Sequence, residues 1–333
     1  MVKMLLFDLK TSELEFLKNI DTSDFELTLY KESLTPETKL TVKECDETAI
    51  LSVFSTSKVT YEVLEKFKNL RVITTRSINY NHIDIEECRR RNIAVINSEN
   101  FGKNAVSQYV IGLVFNLTRN INISSIDIKN ERYDFEKYEG EDIDKLSIGV
   151  VGTGSIGSAV CELANKIGMK VYANDIVMNK TISEYTQYVS LNDLLRKSDI
   201  VTLHIPYIKE FYHLISEKEL VLMKDNGYLI NTSNPNLVSP IALYKALSQR
   251  KLKGCALDII PFDTIDIFDK NYNVLDCKEM KQMIVWHKLL RMENVIITPK
   301  IAYNTRETLN KILNTNFHNI KDFYIGRKTN RVV

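Results

Sequence analysis

The segment from 147 to 157, SIGVVGTGSIG, constrains the fold of this chain most strongly, because it joins an apolar strand to a glycine-spaced turn and a helical run. In a dinucleotide-binding turn of this spacing, the first glycine permits the tight turn and the second lets backbone N–H groups approach a pyrophosphate. The third lets the following helix pack closely on the sheet, and the N-terminus of that helix adds positive partial charge. The predicted dinucleotide-binding residues of this turn are Gly152, Gly154, Ser155, Ile156 and Gly157.

A carboxylate stands where such a fold binds the adenosine ribose. The apolar run from 170 to 174 ends at Asp175, close to the offset of about 20 residues expected of an acid that binds the ribose hydroxyls. A carboxylate also repels the 2′-phosphate of NADP. The sequence therefore predicts NAD as the cofactor.

Length, charge and cysteine content set further limits. The 333 residues predict two domains, and 44 basic against 43 acidic residues produce no strong field toward nucleic acid or a membrane surface. The apolar runs are too short for a transmembrane helix or a signal peptide. The five cysteines are scattered, without metal-ligand spacing. We therefore expect a cytoplasmic protein with a small-molecule substrate, no metal, and no nucleic-acid or membrane partner.

Strand and helix patterns alternate along the chain, which predicts parallel sheets covered by helices. The stretches 104–132 and 305–324 are predicted to be helical, and the second should fold back onto the N-terminal segment because no sheet strand follows it. The segment 261–288 lacks clean periodicity, which predicts a long loop beside the cofactor. The predicted strands are 1–7, 48–52, 72–75 and 93–96, then one beginning at 147, followed by 171–174, 200–204, 228–231, 254–258 and 295–298.

Several segments resemble, in order and spacing, those of the D-isomer-specific 2-hydroxyacid dehydrogenase family. The resemblance covers almost the whole chain and is closest to the D-lactate and (R)-2-hydroxyglutarate dehydrogenase branch. The segments that carry it are 75–84 (TRSINYNHID), 199–206 (DIVTLHIP), 229–233 (LINTS), 256–258 (ALD) and 294–299 (NVIITP).

The resemblance implies an α/β fold with two Rossmann-like domains. An NAD-binding domain, 103–301, is expected as an insertion in a smaller, flavodoxin-like substrate domain made of 1–102 and 302–333. The family likeness further implies a cofactor in the cleft between the domains and a homodimer formed through the long helix of the NAD-binding domain. Further cofactor contacts are implied at Ile205, Pro206, Thr232, Ser233 and Asp258, and substrate contacts at Ile78 and Asn79.

Three positions depart from the catalytic pattern of that family. The arginine that binds the substrate carboxylate is replaced by Asn234, the glutamate by Asp263, and the histidine that exchanges a proton with the substrate by Lys300. In addition, Asn79 stands where the first-domain turn of the family has glycine. An asparagine amide offers neutral hydrogen bonds where arginine offers a charged fork, so ordinary 2-oxo acids are expected to bind weakly.

Two interpretations of these substitutions remain open. In the first, the site is rebuilt, with Lys300 as an acid or anion-binding group beside Asp263 and with Asn234 as a polar orienting group. In the second, the protein is a catalytically inactive NAD-binding protein with a regulatory or scaffold role. The intact cofactor motif favours a catalytic role. If the protein had lost its activity by neutral drift, the cofactor-binding residues would be expected to change as well as the catalytic ones.

Other side chains near these motifs have structural interpretations that we prefer. His204 is expected to be a core histidine, and His82 resembles a structural residue of the family. Arg76 is a cation that can replace the missing arginine, but a structural ion pair is its expected use. Trp286 and His287 are predicted to lie in the loop before the last strand, either lining the substrate cleft or covering its rim.

Overall fold

The computed structural model describes residues 1–98, 101–259, 277–327 and 329–333. It divides into two compact units. The N-terminal unit comprises Met1–Phe101 and Asn304–Val333, and the central unit comprises Gly102–Tyr303. Each unit contains a parallel sheet with helices, which is the predicted α/β class. Within the described ranges, no helix combines the length and apolar character that crossing a membrane requires.

The sheet of the N-terminal unit has the strand order β2-β1-β3-β4-β5 within the described residues. This is the flavodoxin-like order, in which the direction of winding reverses between β1 and β3. The edge strand β2 was not predicted from the sequence, because Phe25 is the one buried residue in it. The strands are β1 (Val2–Leu6), β2 (Phe25–Leu29), β3 (Ile50–Val53), β4 (Val72–Thr75) and β5 (Ala94–Ile96), and the first helices are α1 (Thr11–Leu17), α2 (Val42–Glu47), α3 (Tyr61–Glu65) and α4 (Ile85–Arg90).

The sheet of the central unit has seven parallel strands in the described part of the chain, in the order β12-β11-β10-β9-β6-β7-β8. This is a Rossmann sheet with one added edge strand. The six expected strands are present, and the additional one is β8, which has only three residues. The strands are β6 (Ser147–Val151), β7 (Lys170–Asn174), β8 (Thr186–Tyr188), β9 (Ile200–Leu203), β10 (Gly227–Asn231), β11 (Leu252–Leu257) and β12 (Val295–Ile297).

The helices of the central unit correct one prediction. The segment 261–288 was expected to be a loop, but a helix begins at Cys277, and Met283, Trp286 and Leu289 are buried on it at intervals of three residues. Residues 260–276 lie outside the described part. The α-helices are α5 (Lys103–Thr118), α6 (Ile121–Lys129), α7 (Ser155–Lys166), α8 (Leu191–Lys197), α9 (Glu217–Leu222), α10 (Pro240–Ser248) and α11 (Cys277–Leu290), and the 3-10 turns are Glu136–Tyr138, Ile143–Lys145, Lys180–Ile182, Lys209–Phe211 and Pro235–Leu237.

The last helix, α12 (Arg306–Tyr324), belongs to the N-terminal unit. The ring of Phe317 lies 5.9 Å from that of Phe25. The buried amide of Asn316 donates to the Thr74 hydroxyl at 2.5 Å and accepts from the Ser52 hydroxyl at 3.1 Å. Polar pairing of this kind fixes the helix on the sheet, because a buried amide without partners would be costly.

Candidate cofactor and active site

Several of the predicted site residues of the central unit follow strand ends along the carboxyl edge of its sheet. The strand ends Asn174, Val151, Leu203, Asn231, Leu257 and Ile297 are paired in register, each with its neighbour. The winding direction reverses between β6 and β9, which is where ligands bind in open α/β sheets. The residues that follow these strand ends are Asp175, Gly152, His204, Thr232, Asp258 and Thr298.

The glycine turn has the shape that a dinucleotide phosphate requires. Gly152 has a left-handed φ of +91° and donates its N–H to the Asn174 carbonyl at 2.8 Å. A Cβ at position 157 would lie 1.9 Å from the Gly152 carbonyl oxygen, so α7 packs on the strand only because Gly157 has no side chain. A Cβ at Gly154 would meet no atom within 4 Å in the described residues. Space is therefore left above Gly154, at the N-terminus of α7, where a phosphate is expected.

Asp175 is fixed to this turn through Thr153. Its carboxylate accepts hydrogen bonds from the Thr153 N–H and hydroxyl and from the Val177 N–H at 3.2 Å. Burial raises the pKa of Asp175, but these hydrogen bonds outweigh that effect and hold the pKa below its usual value. The Tyr188 hydroxyl donates to the Thr153 hydroxyl at 2.9 Å. The supporting roles of Thr153 and Tyr188 were not foreseen, because glycine spacing carries no information about the intervening side chain.

The two hydroxyl groups that follow β10 differ in their hydrogen bonding. The Ser233 hydroxyl donates to the Leu203 carbonyl at 2.8 Å, whereas the buried Thr232 hydroxyl has no hydrogen-bond partner among the described residues. An unpartnered buried hydroxyl fits a position that bonds to a ligand. Ile205 packs against Gly152, and Pro206 is exposed. Together with the glycine cradle, the Thr232 hydroxyl supports the predicted nucleotide site.

His204, expected to be a core histidine, follows β9 and is partly buried. Its Nε2 lies 2.9 Å from the Thr202 hydroxyl. Burial lowers the pKa of His204 to about 4. The ring is therefore neutral near pH 7 and does not act as an imidazolium acid there.

Asn234, which the resemblance places at the position of the family arginine, is partly used by its own turn. Its Oδ1 accepts the Asn236 N–H at 2.9 Å, and its backbone carbonyl accepts from the Asn231 amide, also at 2.9 Å. Asn234 thus caps the turn Pro235–Leu237, which begins with proline. Among the described residues no partner is seen for its amide N–H groups, which are therefore the donors that remain for a ligand.

Lys300 is exposed and lies in a turn after β12 that hydrogen bonds to Asp258 stabilise. Its φ is +54°, in the left-handed region that lysine rarely adopts. The carboxylate of Asp258, which is 2% exposed, accepts hydrogen bonds from the Thr298 hydroxyl at 2.6 Å and from the N–H groups of Ile301 at 2.9 Å and Ala302 at 2.7 Å. Asp258 therefore bonds to the residues on both sides of Lys300. Asp263, which the resemblance gives as the third substituted position, lies outside the described residues.

The predicted substrate residues of the N-terminal unit lie just after β4. Ile78 and Asn79 are exposed; the Ile78 carbonyl accepts from the Asn97 amide at 3.0 Å, and the Asn79 Oδ1 accepts the Asn81 N–H at 2.9 Å. The left-handed φ values of the described residues do not include Asn79, so this backbone does not require the glycine of the family pattern. Both residues remain predicted substrate contacts.

Arg76 has the structural use that was expected of it. It is fully buried, its Nε lies 3.4 Å from the Glu13 carboxylate, and it donates to the Ser52 hydroxyl at 3.0 Å and to the Phe7 carbonyl at 2.6 Å. His82 lies nearby, with its Nε2 3.1 Å from the Thr75 hydroxyl. These contacts make Arg76 part of the core of the N-terminal unit.

Trp286 and His287 lie on α11 and not in a loop. Trp286 is 4% exposed and packs in the hydrophobic core of the central unit. The Nε2 atom of His287 is buried and has no hydrogen-bond partner within the described residues. Trp286 therefore serves packing, and the prediction that it lines a cleft or covers its rim from a loop is wrong.

The chain is similar to known dehydrogenases over most of its length. A family model described as "D-isomer specific 2-hydroxyacid dehydrogenase, NAD binding domain" matches residues 111–302. A D-specific alpha-keto acid dehydrogenase of Enterococcus faecium is 35% identical over 280 residues, which cover 82% of each chain. An aromatic 2-oxoacid reductase of Clostridium sporogenes is 28% identical over 326 residues, which cover 97% of this chain and 96% of the other.

A solved structure adds the cofactor to this comparison. The D-lactate dehydrogenase of Aquifex aeolicus, crystallised with NAD and lactic acid, superposes with a TM-score of 0.79 at 30% identity, covering 97% of this chain and 96% of that one. The fold class and the NAD-binding character predicted from the sequence are thereby confirmed.

Proposed function

Because this chain belongs to the D-isomer-specific 2-hydroxyacid dehydrogenase family, we propose that it catalyses reversible, NAD-dependent hydride transfer between a 2-oxo acid and a D-2-hydroxy acid through a rebuilt site. The observation that carries this proposal is the turn after β12. Lys300 is in a left-handed conformation there, and the residues around it donate three hydrogen bonds to the buried Asp258 carboxylate. Strained positions of this kind persist where the surrounding structure over-determines them, and they cluster at functional sites.

The cofactor is proposed to lie along the carboxyl edge of the central sheet. The turn at Gly152–Gly157 and the N-terminus of α7 would hold its pyrophosphate, and the Asp175 carboxylate would accept from its ribose hydroxyls. The Thr232 hydroxyl would gain the partner that the described residues do not supply. When bound, the reduced nicotinamide supplies a hydride to the carbonyl carbon of the substrate.

Lys300 is proposed to act on the carbonyl oxygen. Its ammonium group donates a hydrogen bond to the oxygen as negative charge develops there, and then passes it a proton from Nζ, which regains one from water. The balanced reaction converts the 2-oxo acid, NADH and one proton into the 2-hydroxy acid and NAD⁺. The Asn234 amide N–H groups are proposed to orient the neighbouring polar group of the substrate.

The substitution at Asn234 bears on substrate choice. Without the guanidinium group of an arginine, the substrate carboxylate is bound less tightly. A larger share of the binding energy must therefore come from the substrate side chain. The relative named an aromatic 2-oxoacid reductase makes aromatic 2-oxo acids the first substrates to test. We expect these compounds to be reduced with higher kcat/KM than pyruvate.

A homodimer in the cytoplasm completes the proposal. Exposed apolar side chains recur on α6 and in the segment after it, in the central unit, and exposed apolar surface commonly marks a protein interface. Sedimentation equilibrium of the native protein and of Ile128→Lys tests this part, with a native dimer and a variant monomer expected. The exposed side chains are Ile121, Ile126, Ile128, Tyr133 and Phe135.

One observation favours the second candidate function, a catalytically inactive NAD-binding protein with a regulatory or scaffold role. The Asn234 Oδ1 is already used to cap its own turn, which leaves less of this side chain for a substrate. The two candidates are separated by measuring NADH oxidation against 2-oxo acids alongside NADH binding. Turnover that depends on Lys300 supports the dehydrogenase, whereas binding without turnover supports the inactive protein.

A further inference from the structure

The Asp258 carboxylate is almost completely occupied by the turn that follows β12. Its Oδ1 accepts from the Thr298 hydroxyl at 2.6 Å and from the Ile301 N–H at 2.9 Å, and its Oδ2 accepts from the Ala302 N–H at 2.7 Å. Asp258 itself is 2% exposed. Three charge-assisted hydrogen bonds in a buried setting make a strong and geometrically specific anchor.

Lys300, the residue with the strained backbone, lies between the residues that donate to Asp258. Lys300 has a φ of +54°, and its N–H bonds back to the Thr298 carbonyl at 2.9 Å. An L-residue other than glycine adopts the left-handed region at a cost in free energy, so other interactions must hold it there. The Asp258 carboxylate supplies such interactions on both sides of Lys300. It accepts hydrogen bonds from Ile301 and Ala302, which follow Lys300, and from Thr298, which lies two residues before it.

We propose that Asp258 is the positioning residue for Lys300, and that it acts by holding the Thr298–Ala302 turn. This role differs from the cofactor contact that the family resemblance implies for Asp258. The catalytic consequence rests on the proposed function, because it matters only if Lys300 acts on a substrate. The positioning itself depends only on the turn.

An amide at position 258 would not reproduce the anchor. Asn has one acceptor oxygen and one NH₂ group, so either orientation of the amide places N–H against the backbone N–H of Ile301 or Ala302. An unmade hydrogen bond at a buried site is costly. Asp258→Asn should therefore release the turn while the shape of the side chain stays nearly the same.

The chain offers a matched control at the opposite edge of the same sheet. The Asp199 carboxylate accepts the Ser147 N–H at 2.8 Å and its hydroxyl at 2.6 Å, and it pairs with Lys224 at 2.7 Å. Asp199 thus also holds a strand end through backbone and hydroxyl donors. Asp199→Asn removes a comparable anchor far along the strands from Lys300.

The experiment compares the native protein, Asp258→Asn, Asp199→Asn, Lys300→Ala and the double variant Asp258→Asn/Lys300→Ala. We expect Asp258→Asn to lower kcat by about tenfold or more with the Kd for NADH within about threefold, and the double variant to be no slower than Lys300→Ala. Asp199→Asn should keep the native kcat. A large rise in the Kd for NADH with kcat unchanged at saturating NADH would overturn the proposal and make Asp258 a cofactor ligand.

A second readout does not depend on turnover. Lysines are labelled by reductive methylation with ¹³C, and the Lys300 signal is assigned with Lys300→Arg. The signal should move toward that of an unstructured lysine in Asp258→Asn and stay in place in Asp199→Asn. An unchanged signal in Asp258→Asn would overturn the positioning role. If the native protein binds NADH but reduces no 2-oxo acid, the proposed function fails, and this NMR comparison alone decides the role of Asp258.

Discussion

The carboxylate of Asp175 accepts hydrogen bonds from both the backbone N–H and the hydroxyl of Thr153, the residue between the first two glycines of the phosphate turn. The acid expected to bind ribose is therefore fixed to the turn expected to bind pyrophosphate. Because these hydrogen bonds hold the pKa of Asp175 below its usual value despite partial burial, the group is a carboxylate throughout the neutral range.

Asp175→Asn should weaken NADH binding by about tenfold and reduce the preference for NADH over NADPH, because the charge that repels a 2′-phosphate is lost. Thr153→Val should have a smaller effect, since its backbone N–H remains. Fluorescence titration with both cofactors measures this. An unchanged ratio of the two Kd values in Asp175→Asn would show that the ribose lies elsewhere.

The glycines of the turn should respond differently to the same added methyl group. Gly157→Ala places a Cβ 1.9 Å from the Gly152 carbonyl oxygen, whereas at Gly154 the Cβ meets no described atom within 4 Å. We expect Gly157→Ala to lower Tm by several degrees and Gly154→Ala to leave Tm nearly unchanged while weakening NADH binding by about tenfold. Native-like NADH affinity in Gly154→Ala would mean that no phosphate lies over this glycine.

His204 should make stability depend on pH. Burial lowers its pKa from 6.5 to about 4, so between these values the unfolded state binds more protons than the folded state. The contribution to stability is complete above about pH 6.5 and is lost as pH falls toward 4, with about 2 kcal/mol lost between pH 7 and pH 5. Urea unfolding at both pH values measures the loss.

His204→Gln should remove most of that pH dependence, since glutamine does not titrate. His318→Gln is the matched control, because the His318 side chain is 70% exposed. The interpretation would be contradicted if native protein and His204→Gln lost equal stability on acidification.

Arg76→Met should destabilise the N-terminal unit by about 3–5 kcal/mol, because it leaves the buried Glu13 carboxylate without its charged partner. Adding Glu13→Gln should recover part of that loss. Denaturant unfolding measures the free energy, and the Kd for NADH should not change. If Arg76→Met were as stable as the native protein but had a raised KM for 2-oxo acids, Arg76 would be a substrate ligand.

Much of the fold could be predicted because buried parallel strands are apolar and end at polar or glycine positions. The row from Asp175 to Thr298 follows from that pattern, since carboxyl ends of parallel strands share one edge. The helix Cys277–Leu290 also left a signal in the spacing of Met283, Trp286 and Leu289, which the surrounding polar residues obscured.

The parts that could not be predicted depend on hydrogen bonds between groups distant in sequence. Nothing in the segment 256–258 indicates that the Asp258 carboxylate bonds to N–H groups of the turn after β12. The cap at Asn234, by contrast, could have been predicted, because asparagine followed by proline is typical of a helical N-terminus.

The most direct test of the central claim is NADH oxidation by the purified protein with a panel of 2-oxo acids, including aromatic ones, with NADH binding measured separately. The comparison variants are Lys300→Ala and Asn234→Arg/Lys300→His, which introduces the family residues that the resemblance predicts at both positions. We predict that the native protein turns over and that Lys300→Ala loses about a hundredfold or more in kcat while still binding NADH. Native protein that binds NADH without turnover, with activity only in the restored double variant, would contradict a rebuilt active site.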